Sequence, residues 1–230
     1  MLSLQNVVKT FPQPGGGRLT VLDIPSLELS AGEQVALIGR SGGGKTTLLH
    51  TIAGITVADS GSIIVDGLDL SGLSEAGRDR FRASRLGYVF QTFNLLAGFT
   101  ALENVRLGMS FASGKQDGER ARRLLDRVGL GDRLHYRPSQ LSVGQQQRVA
   151  IARALAGGPR LLLADEPTAN VDPANQQAII DLIRETCDDE AITLLLVTHT
   201  QVVSDQFPRI EDLEQINRIF SNPAVTENLP

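Results

Sequence analysis

Apolar and polar positions alternate along the first thirty residues in two runs, LSLQNVV and LTVLDIPSLEL, separated by PQPGGG at 12–17. A period of two is typical of half-buried strands, and the glycines and prolines between the runs indicate a hairpin-like connection. Short apolar runs follow at EQVALIG (33–39), GSIIVDG (61–67) and LGYVF (86–90). Their lengths predict strands, and the run at 33–39 reads as a buried parallel strand.

Helical periodicity dominates the middle of the chain. KTTLLHTIAG and the charged SEAGRDRFRASR (74–85) have helical patterns, and so do ALENVRLGM, GERARRLLDRVG and LSVGQQQRVAIARAL within 101–157. LLLADE, a helical stretch from about 174 to 190, and LLLVTH then follow in strand–helix–strand order, which predicts a parallel α/β unit. We therefore expect an α/β fold in a single domain, 1–230, with a parallel-sheet core, an N-terminal antiparallel β subdomain and a helical subdomain inserted at about 92–157.

Composition narrows the function classes. The net charge of −4 and the pI near 5.4 argue against non-specific nucleic-acid binding, which usually needs a basic surface. No run approaches the roughly 18 apolar residues of a membrane span, and the N-terminus lacks the layout of a signal peptide. A single cysteine, Cys187, excludes an intramolecular disulfide and is expected to be structural. We expect a soluble, cytoplasmic protein with any membrane role supplied by a partner.

The segment GRSGGGKTT has the spacing of a phosphate-binding P-loop between a strand and a helix. Small residues allow backbone N–H groups to curl around a β-phosphate, and the following helix adds the positive end of its dipole. In this pattern the lysine bridges the β- and γ-phosphates, and the threonine after it offers its hydroxyl to Mg²⁺. A glycine-rich turn with a solvated lysine is the alternative. The predicted nucleotide-binding residues are Gly39, Arg40, Ser41, Gly42, Gly43, Gly44, Lys45, Thr46 and Thr47.

Two acids end the apolar strand LLLADE. Asp165 stands at the carboxyl edge of the strand, where it would hold a Mg²⁺ ion, and Glu166 would polarise an attacking water as general base or orienting group. Taken alone, such a pair could be solvated carboxylates at a strand end. A P-loop in the same α/β sheet favours the catalytic interpretation.

LSVGQQQRVAIARAL begins as a loop and continues as a helix, and Ser142 with Gly144 at its start would suit an anion. Nothing inside the segment identifies that anion. With Gln91 after LGYVF, Asp172 in PTANVD and His199 after LLLV, this ordered set resembles the nucleotide-binding subunits of ABC transporters over residues 2–199.

The resemblance implies a homodimer that encloses two ATP molecules head to tail. Each ATP would lie on the P-loop of one subunit and under the signature loop of the other, so the anion is the γ-phosphate of ATP bound to the partner. The implied contributors from the signature loop are Ser142, Val143, Gly144 and Gln145. Among the other residues, Gln91 would contact Mg²⁺ or the attacking water, His199 the γ-phosphate, Asp172 the dimer interface, and Phe11 the adenine ring.

Two positions depart from the family pattern. Val143 stands where the family usually has glycine, and Thr200 follows His199 where aspartate is common. We interpret Val143 as a tolerated variation if it starts the helix normally, and as a strained one if its φ must be positive. A weakened or regulatory site is the competing interpretation. The segment FPRIEDL is expected to supply the final strand, with no regulatory domain after it.

Phrases such as DLSGLSEAGRDRFRASRLGYVFQTFNLLAGFTALENV, RPSQLS and LLLADEPTANVD resemble the branch of lipoprotein-releasing ATPases, macrolide-type exporters and the cell-division ATPase. This resemblance implies ATP and Mg²⁺ as cofactors, a separate integral-membrane permease as partner, no nucleic acid, and a position on the cytoplasmic face of the inner membrane. A membrane-bound signalling ATPase that controls cell-wall cleavage remains an alternative. A soluble DNA-repair or chromosome ATPase would need a long coiled-coil or zinc insertion, which this compact acidic chain lacks.

Overall fold

The structure, a computed structural model, describes residues 1–113 and 117–221, with the side chains of 111–113 and 221 excepted. The chain forms two compact units, one containing residues 1–78 and the chain from 195 onward, the other residues 79–194. The predicted domain of residues 1–230 includes 114–116 and 222–230, which lie outside the described residues.

Both strands of the predicted N-terminal hairpin are present in the first unit. Its elements up to the boundary are β1 (Leu2–Pro12), β2 (Arg18–Leu29), β3 (Gln34–Ile38), α1 (Lys45–Ile52), β4 (Ser60–Val65), β5 (Leu68–Asp69) and the start of α2 (Glu75–Arg85). After the boundary, which falls within β8 (Thr193–Val197), come α7 (Gln201–Ser204), β9 (Arg209–Asp212), α8 (Leu213–Ile216) and a 3₁₀ turn (Arg218–Ser221). The two-residue strand β5 and the short helices α7 and α8 were not predicted, because elements of this length carry no measurable periodicity.

An antiparallel sheet with the strand order β2-β1-β4-β5 forms one part of the first unit. The buried positions of β1 are Leu2, Leu4 and Val7, so the period of two shifts by one residue at Asn6, whose φ is +50°. The prediction of a strand through LSLQNVV is confirmed, and the change of phase explains why its second half alternates poorly. Pro25 is tolerated within β2 because β2 is an edge strand of this sheet.

The second, parallel part of the first unit leads to the phosphate loop. β3 pairs in parallel with β9, with Ile38 opposite Asp212. Val35, Ala36 and Leu37 are fully buried, which is the pattern of a strand covered on both faces. The predicted buried parallel strand at 33–39 is confirmed, and its carboxyl end opens into the loop that precedes α1.

The second unit contains the helices and the strand that ends in the two acids. Its elements are the rest of α2, β6 (Leu86–Val89), α3 (Ala101–Ser113), α4 (Gly118–Arg127), α5 (Val143–Ala156), β7 (Leu161–Asp165), α6 (Pro173–Asp189) and the start of β8, with 3₁₀ turns at Gly131–Arg133 and Pro138–Gln140. β6 pairs in parallel with β7, and every residue of β7 is buried. The helical middle section and the α/β class predicted from the sequence are confirmed.

Close packing of α3 against α5 depends on one glycine. A Cβ at Gly108 would lie 2.5 Å from the backbone oxygen of Arg153 and 3.4 Å from Cβ of Ala156, so only glycine permits this approach. Across residues 1–113 and 117–221, no helix combines the length and the apolar character that a membrane span requires.

Candidate functional site

The phosphate loop lies in the first unit, between the end of β3 and the start of α1. Gly39, Gly42 and Gly44 have φ values of 149°, 72° and 96°, which side chains rarely adopt. At Gly44 space is also short, because a Cβ would lie 3.0 Å from Cγ1 of Val21 on β2. The glycines are therefore required by the local fold, and they leave the loop lined by backbone groups.

Lys45 folds back over the loop that precedes it. Its Nζ donates to the backbone oxygens of Gly39 and Arg40, both at 2.8 Å, and the residue is 6% exposed. The ammonium group is thus held in the curve of the loop. Thr46 is exposed and Thr47 half-buried in the first turn of α1, where backbone N–H groups have no partner within the helix. This geometry can accept an oligophosphate.

Arg40 binds Glu214, a contact that the sequence does not predict. Its backbone N–H, Nε and one Nη donate to the carboxylate of Glu214 at 3.1–3.2 Å, and its guanidinium lies 4.9 Å from the centre of the Phe220 ring. Its backbone oxygen accepts from Lys45 and from Gly43 N. No sequence signal connects Arg40 with a partner 174 residues away.

Phe11 and His199 also belong to the first unit. Phe11 is 36% exposed and pairs across the hairpin with Leu19, two residues before the Val21 that touches the loop. The Nζ of Lys9 lies 5.3 Å from the centre of the Phe11 ring. His199 is exposed. The residue before it, Thr198, donates its backbone N–H to the Leu37 oxygen of β3 at 3.1 Å. The first unit therefore brings the strand end of His199 beside the strand that carries the loop.

Asp165 and Glu166 occupy the carboxyl end of β7 in the second unit. Asp165 is 5% exposed, and the backbone of Glu166 has a φ of +45°, an uncommon conformation for a side-chain-bearing residue. Such strain is found at functional sites more often than elsewhere. Burial raises the pKa of the neighbouring Tyr88 phenol, and the charge of Asp165 raises that pKa further. The end of β7 therefore carries one buried carboxylate, Asp165, followed by one on a strained backbone, Glu166.

The turn after the acids connects with Gln91. Nδ2 of Asn170 donates to the Gln91 backbone oxygen at 2.8 Å, which places the exposed Gln91 beside this turn. Asp172 is exposed and stands at the N-cap position directly before α6, and its two carboxylate oxygens accept from Nδ2 of Asn175 at 2.8 and 3.0 Å. Asn170 was not among the predicted residues, although it lies in the TANVD segment that the sequence singles out.

The signature loop forms a reciprocal cap on α5. Ser142 Oγ accepts from Gln145 N at 3.3 Å, and Gln145 Oε1 accepts from Ser142 N at 2.9 Å. This capping box explains both residue types at that spacing. Val143 is the first residue of the helix, is 46% exposed, and is not among the residues with positive φ. A valine at this position is therefore free of backbone strain, as expected for a helix that starts normally.

Gly144 is not required by the chain's own packing. It lies in the first turn of α5 without a positive φ, and the nearest atom to an added Cβ would be Cγ1 of Val171 at 4.0 Å. That contact places the signature loop beside the turn 166–172. Glycine in a helix is about 1 kcal/mol less favourable than alanine. Packing of the described residues therefore does not require glycine at position 144. Its effect is to leave the exposed start of α5 uncovered by a side chain.

The ABC transporter family model matches residues 22–169. The chain belongs to the ABC transporter family. It is an ATP-binding, ATP-hydrolysing member of that family, in agreement with the prediction made from its motifs.

Relatives in the ABC transporter family match almost the whole chain. The lipoprotein-releasing system ATP-binding protein LolD 2 of Caulobacter vibrioides is 42% identical over 216 residues, which are 93% of this chain and 94% of that protein. The macrolide export ATP-binding/permease protein MacB of Syntrophobacter fumaroxidans is 43% identical over 91% of this chain, but this region is 30% of that protein. Both names fall in the branch predicted from the sequence.

A solved member of the ABC family shares the fold. The dimeric post-hydrolysis structure of the ATP-binding cassette MJ0796 bound to ADP and Pi superimposes with a TM-score of 0.84 at 35% identity, covering 92% of this chain and 94% of that one. This match confirms the predicted P-loop NTPase core with its antiparallel and parallel sheets. The roles of the individual site residues stay predictions.

Proposed function

We propose that this chain is the ATPase subunit of an ABC transporter that powers a separate membrane permease for the release of lipoproteins. The observation that supports this most strongly is the match to a lipoprotein-releasing ATP-binding protein along nearly the full length of both chains. Macrolide-type export is the related alternative, since an export ATPase fused to its permease matches the same region. The proposed location is the cytoplasmic face of the inner membrane.

In the proposed site, ATP lies on the phosphate loop with its adenine against Phe11. The Lys45 ammonium would leave the backbone oxygens of Gly39 and Arg40 for the β- and γ-phosphates. The glycine conformations and the position of Lys45 support this proposal, because they present backbone donors and one cation to the same small space.

The signature loop is proposed to cover the ATP of a second copy of the chain. Ser142 and the Gly144 backbone would donate to the γ-phosphate, with Val143 and Gln145 beside them and Asp172 at the dimer interface. An exposed helix start, kept open by a glycine that the described fold does not need, supports the proposal. A solved relative of similar fold is a dimer with ADP and phosphate bound.

Mg²⁺ is proposed to accompany ATP. Its protein ligands would be Asp165 and the Thr46 hydroxyl, with Gln91 contributing its amide oxygen. These are hard oxygen donors of the kind Mg²⁺ prefers, and Asp165 is buried as expected for a ligand. Among the described residues no cluster of three His, Cys, Asp or Glu side chains could hold a metal. When bound, the ion neutralises charge on the phosphates.

Hydrolysis is proposed to proceed by attack of water on the γ-phosphorus. The Glu166 carboxylate would orient this water and accept its proton, while the bond from phosphorus to the β,γ-bridging oxygen breaks to leave ADP and phosphate. The His199 imidazole would contact the γ-phosphate, and Gln91 would sense the occupied site. The strained backbone of Glu166 supports its role, because it fixes the direction in which the side chain leaves the strand.

The permease is proposed to bind near Gln91. Leu96, Phe99 and Tyr136 are 40–43% exposed, and Phe99 also lines a cleft of about 130 Å³ with Glu103. Exposed apolar side chains around a cleft are typical of a protein-binding surface. We also propose that the described residues belong to a single ATPase domain with the helical subdomain at about 92–157.

The variant Glu166→Gln tests the proposed chemistry. With Mg²⁺ and ATP it should bind nucleotide, accumulate as a dimer in size-exclusion chromatography, and lose ATPase activity by a factor of about a hundred or more. Glu75→Gln, which removes an exposed acid from the first turn of α2, is the matched control and should behave like the parent. Parental turnover in Glu166→Gln would show that another group activates the water.

Copurification from detergent-solubilised membranes tests the proposed partner. A tagged chain should retain a permease in stoichiometric amount, and replacement of Leu96 and Phe99 by serine should release it while ATP binding persists. Recovery of the chain as a free dimer, with no membrane protein at any detergent concentration, would contradict the transport function and leave the ATPase intact.

A further inference from the structure

The segment 209–221, here called the C-terminal strap, contains β9, α8 and the 3₁₀ turn at Arg218–Ser221. β9 runs parallel to β3, and Asp212 lies opposite Ile38 at the point where β3 enters the phosphate loop. Because α8 begins at the next residue, its first turn must lie beside the first residues of the loop. The pairing of β9 with β3 therefore places the strap next to the phosphate loop.

Glu214 binds the loop at both backbone and side chain. Its Oε1 accepts from Arg40 N at 3.2 Å and from Arg40 Nε at 3.1 Å, and its Oε2 accepts from an Arg40 Nη at 3.2 Å. The hydrogen bond from the Arg40 side chain lowers the pKa of the Glu214 carboxyl, so this carboxylate is ionised at neutral pH. Asp212 Oδ1 accepts from Glu214 N at 2.9 Å and directs the carboxylate toward the loop.

Apolar side chains of the strap close the space beside the loop glycines. A Cβ at Gly39 would lie 3.3 Å from Cβ of Leu213, and one at Gly43 would lie 3.6 Å from the ring of Phe220. The same ring stacks under the Arg40 guanidinium. The strap therefore lies against the loop at Gly39, Arg40 and Gly43, which restricts movement of the loop away from it.

Asn217 ties the strap to the strand on the other side of the loop. It is fully buried, its Nδ2 donates to Val21 O at 3.0 Å, and its Oδ1 accepts from Asp23 N at 2.9 Å. Val21 is also the residue that packs closest to Gly44. The loop is consequently held between β2 and the strap, and the hydrogen bonds of Asn217 connect these two segments.

We propose that Glu214 is a positioning residue for nucleotide binding, and that the C-terminal strap holds the phosphate loop in its phosphate-binding shape through Arg40. This inference depends on the proposed ATP site. A loop of four glycines would lose much conformational entropy when it closes around a phosphate. A loop already held by the strap loses less, so more of the phosphate contact energy appears as affinity.

Two effects of the Glu214 carboxylate on nucleotide binding can be separated, because they have opposite signs: its charge repels the phosphates, and its hydrogen bonds hold Arg40 in place. A carboxylate near a phosphate site repels the nucleotide, so its removal would strengthen binding if charge dominated. Glu214→Asp keeps the charge but shortens the reach to Arg40 N. Glu214→Gln removes the charge but keeps an oxygen that can accept from Arg40 N. The proposal requires the aspartate variant to be the weaker binder.

The experiment measures Kd for fluorescent ATP and ADP analogues with Mg²⁺, together with kcat and KM for ATP hydrolysis. Glu214→Asp should raise Kd for both nucleotides about five-fold, because the weakened Arg40–Glu214 ion pair is partly exposed, while kcat stays within about two-fold of the parent. Glu214→Gln should remain within about two-fold in Kd. ATP and ADP should weaken alike, because the loop holds the β-phosphate that both share.

Glu211→Asp provides the matched control in the same segment. Glu211 accepts from Nε of Arg209 at 2.8 Å, so this variant shortens another strap carboxylate that does not touch the loop. Its Kd should equal that of the parent. The thermal midpoint of all three variants should change little, because the Arg40–Glu214 pair is partly exposed on both sides.

Each outcome supports or contradicts one claim. Parental Kd in Glu214→Asp, or tighter binding in Glu214→Gln, would refute the positioning role and leave the ATPase proposal standing. A fall in kcat or in the folded fraction with unchanged Kd would show that the strap only stabilises the fold. A parent chain that binds neither nucleotide would overturn the proposed function itself.

Discussion

Replacing Gly144 with alanine should separate what the fold needs from what the proposed nucleotide cap needs. Gly144 lies in the first turn of α5 without a positive φ, and an added Cβ would meet only Cγ1 of Val171, at an ordinary 4.0 Å. The substitution is therefore accommodated within the chain. In the proposed dimer, however, the same methyl group would face the γ-phosphate of the partner's ATP.

The stability effect can be estimated from helix propensity. Alanine is favoured over glycine by about 0.5–1 kcal/mol in a helix, mainly because it restricts the unfolded chain. For a chain of 230 residues, a gain of this size raises the thermal midpoint by about 1–4 °C. Activity should move in the opposite direction. Loss of a charged backbone hydrogen bond to the phosphate is worth about 1.5–3 kcal/mol, and this would slow ATP hydrolysis about ten- to a hundred-fold.

Two measurements on one preparation test this prediction: the thermal midpoint by circular dichroism, and the rate of phosphate release with Mg²⁺ and ATP. Gly118→Ala is the matched control, since Gly118 also stands in the first turn of a helix with no atom within 4 Å of an added Cβ. It should give the same stabilisation with parental activity. If Gly144→Ala kept full activity, no phosphate would approach this helix start, and if it lowered the thermal midpoint, the packing argument would be wrong.

Three further variants probe other features. Val143→Gly should change ATPase turnover by less than about two-fold, because the exposed valine already starts α5 without strain, and a large gain would favour a weakened site. Gly108→Ala should lower the free energy of unfolding by about 1–3 kcal/mol in urea titrations, since its Cβ would collide with Arg153 O, and an unchanged midpoint would exclude this tight crossing. Hydrogen bonds from the Thr10 N–H and hydroxyl lower the pKa of Asp59 to about 2, so its stabilisation is complete above the ordinary value near 3.8 and is lost as pH falls toward 2. Asp59→Asn should flatten the acid side of the stability–pH curve over this window, and a curve parallel to the parent's would refute this cause.

Local patterns accounted for most of the elements. The helical middle was predicted because its periodicity extends over several turns. The buried strand at 33–39 and the strand that ends in the two acids were predicted because each is a short apolar run. The capping box at Ser142 and Gln145 is also local, since its two hydrogen bonds join residues three apart. Where periodicity was interrupted, as at Asn6, a positive φ was the cause, and nothing in the residue order announces it.

The sequence by itself was enough to predict the phosphate loop, the acid pair and the signature loop, because each is a motif of residues within a few positions of one another. These motifs together indicated the family. Tertiary structure alone decided what surrounds them. Glu214 and Asn217 reach the phosphate loop and β2 from about 170–200 residues away, and Asn170 reaches Gln91 from 79. Such contacts arise from strand pairing and packing, which place distant segments side by side for reasons that no local window contains.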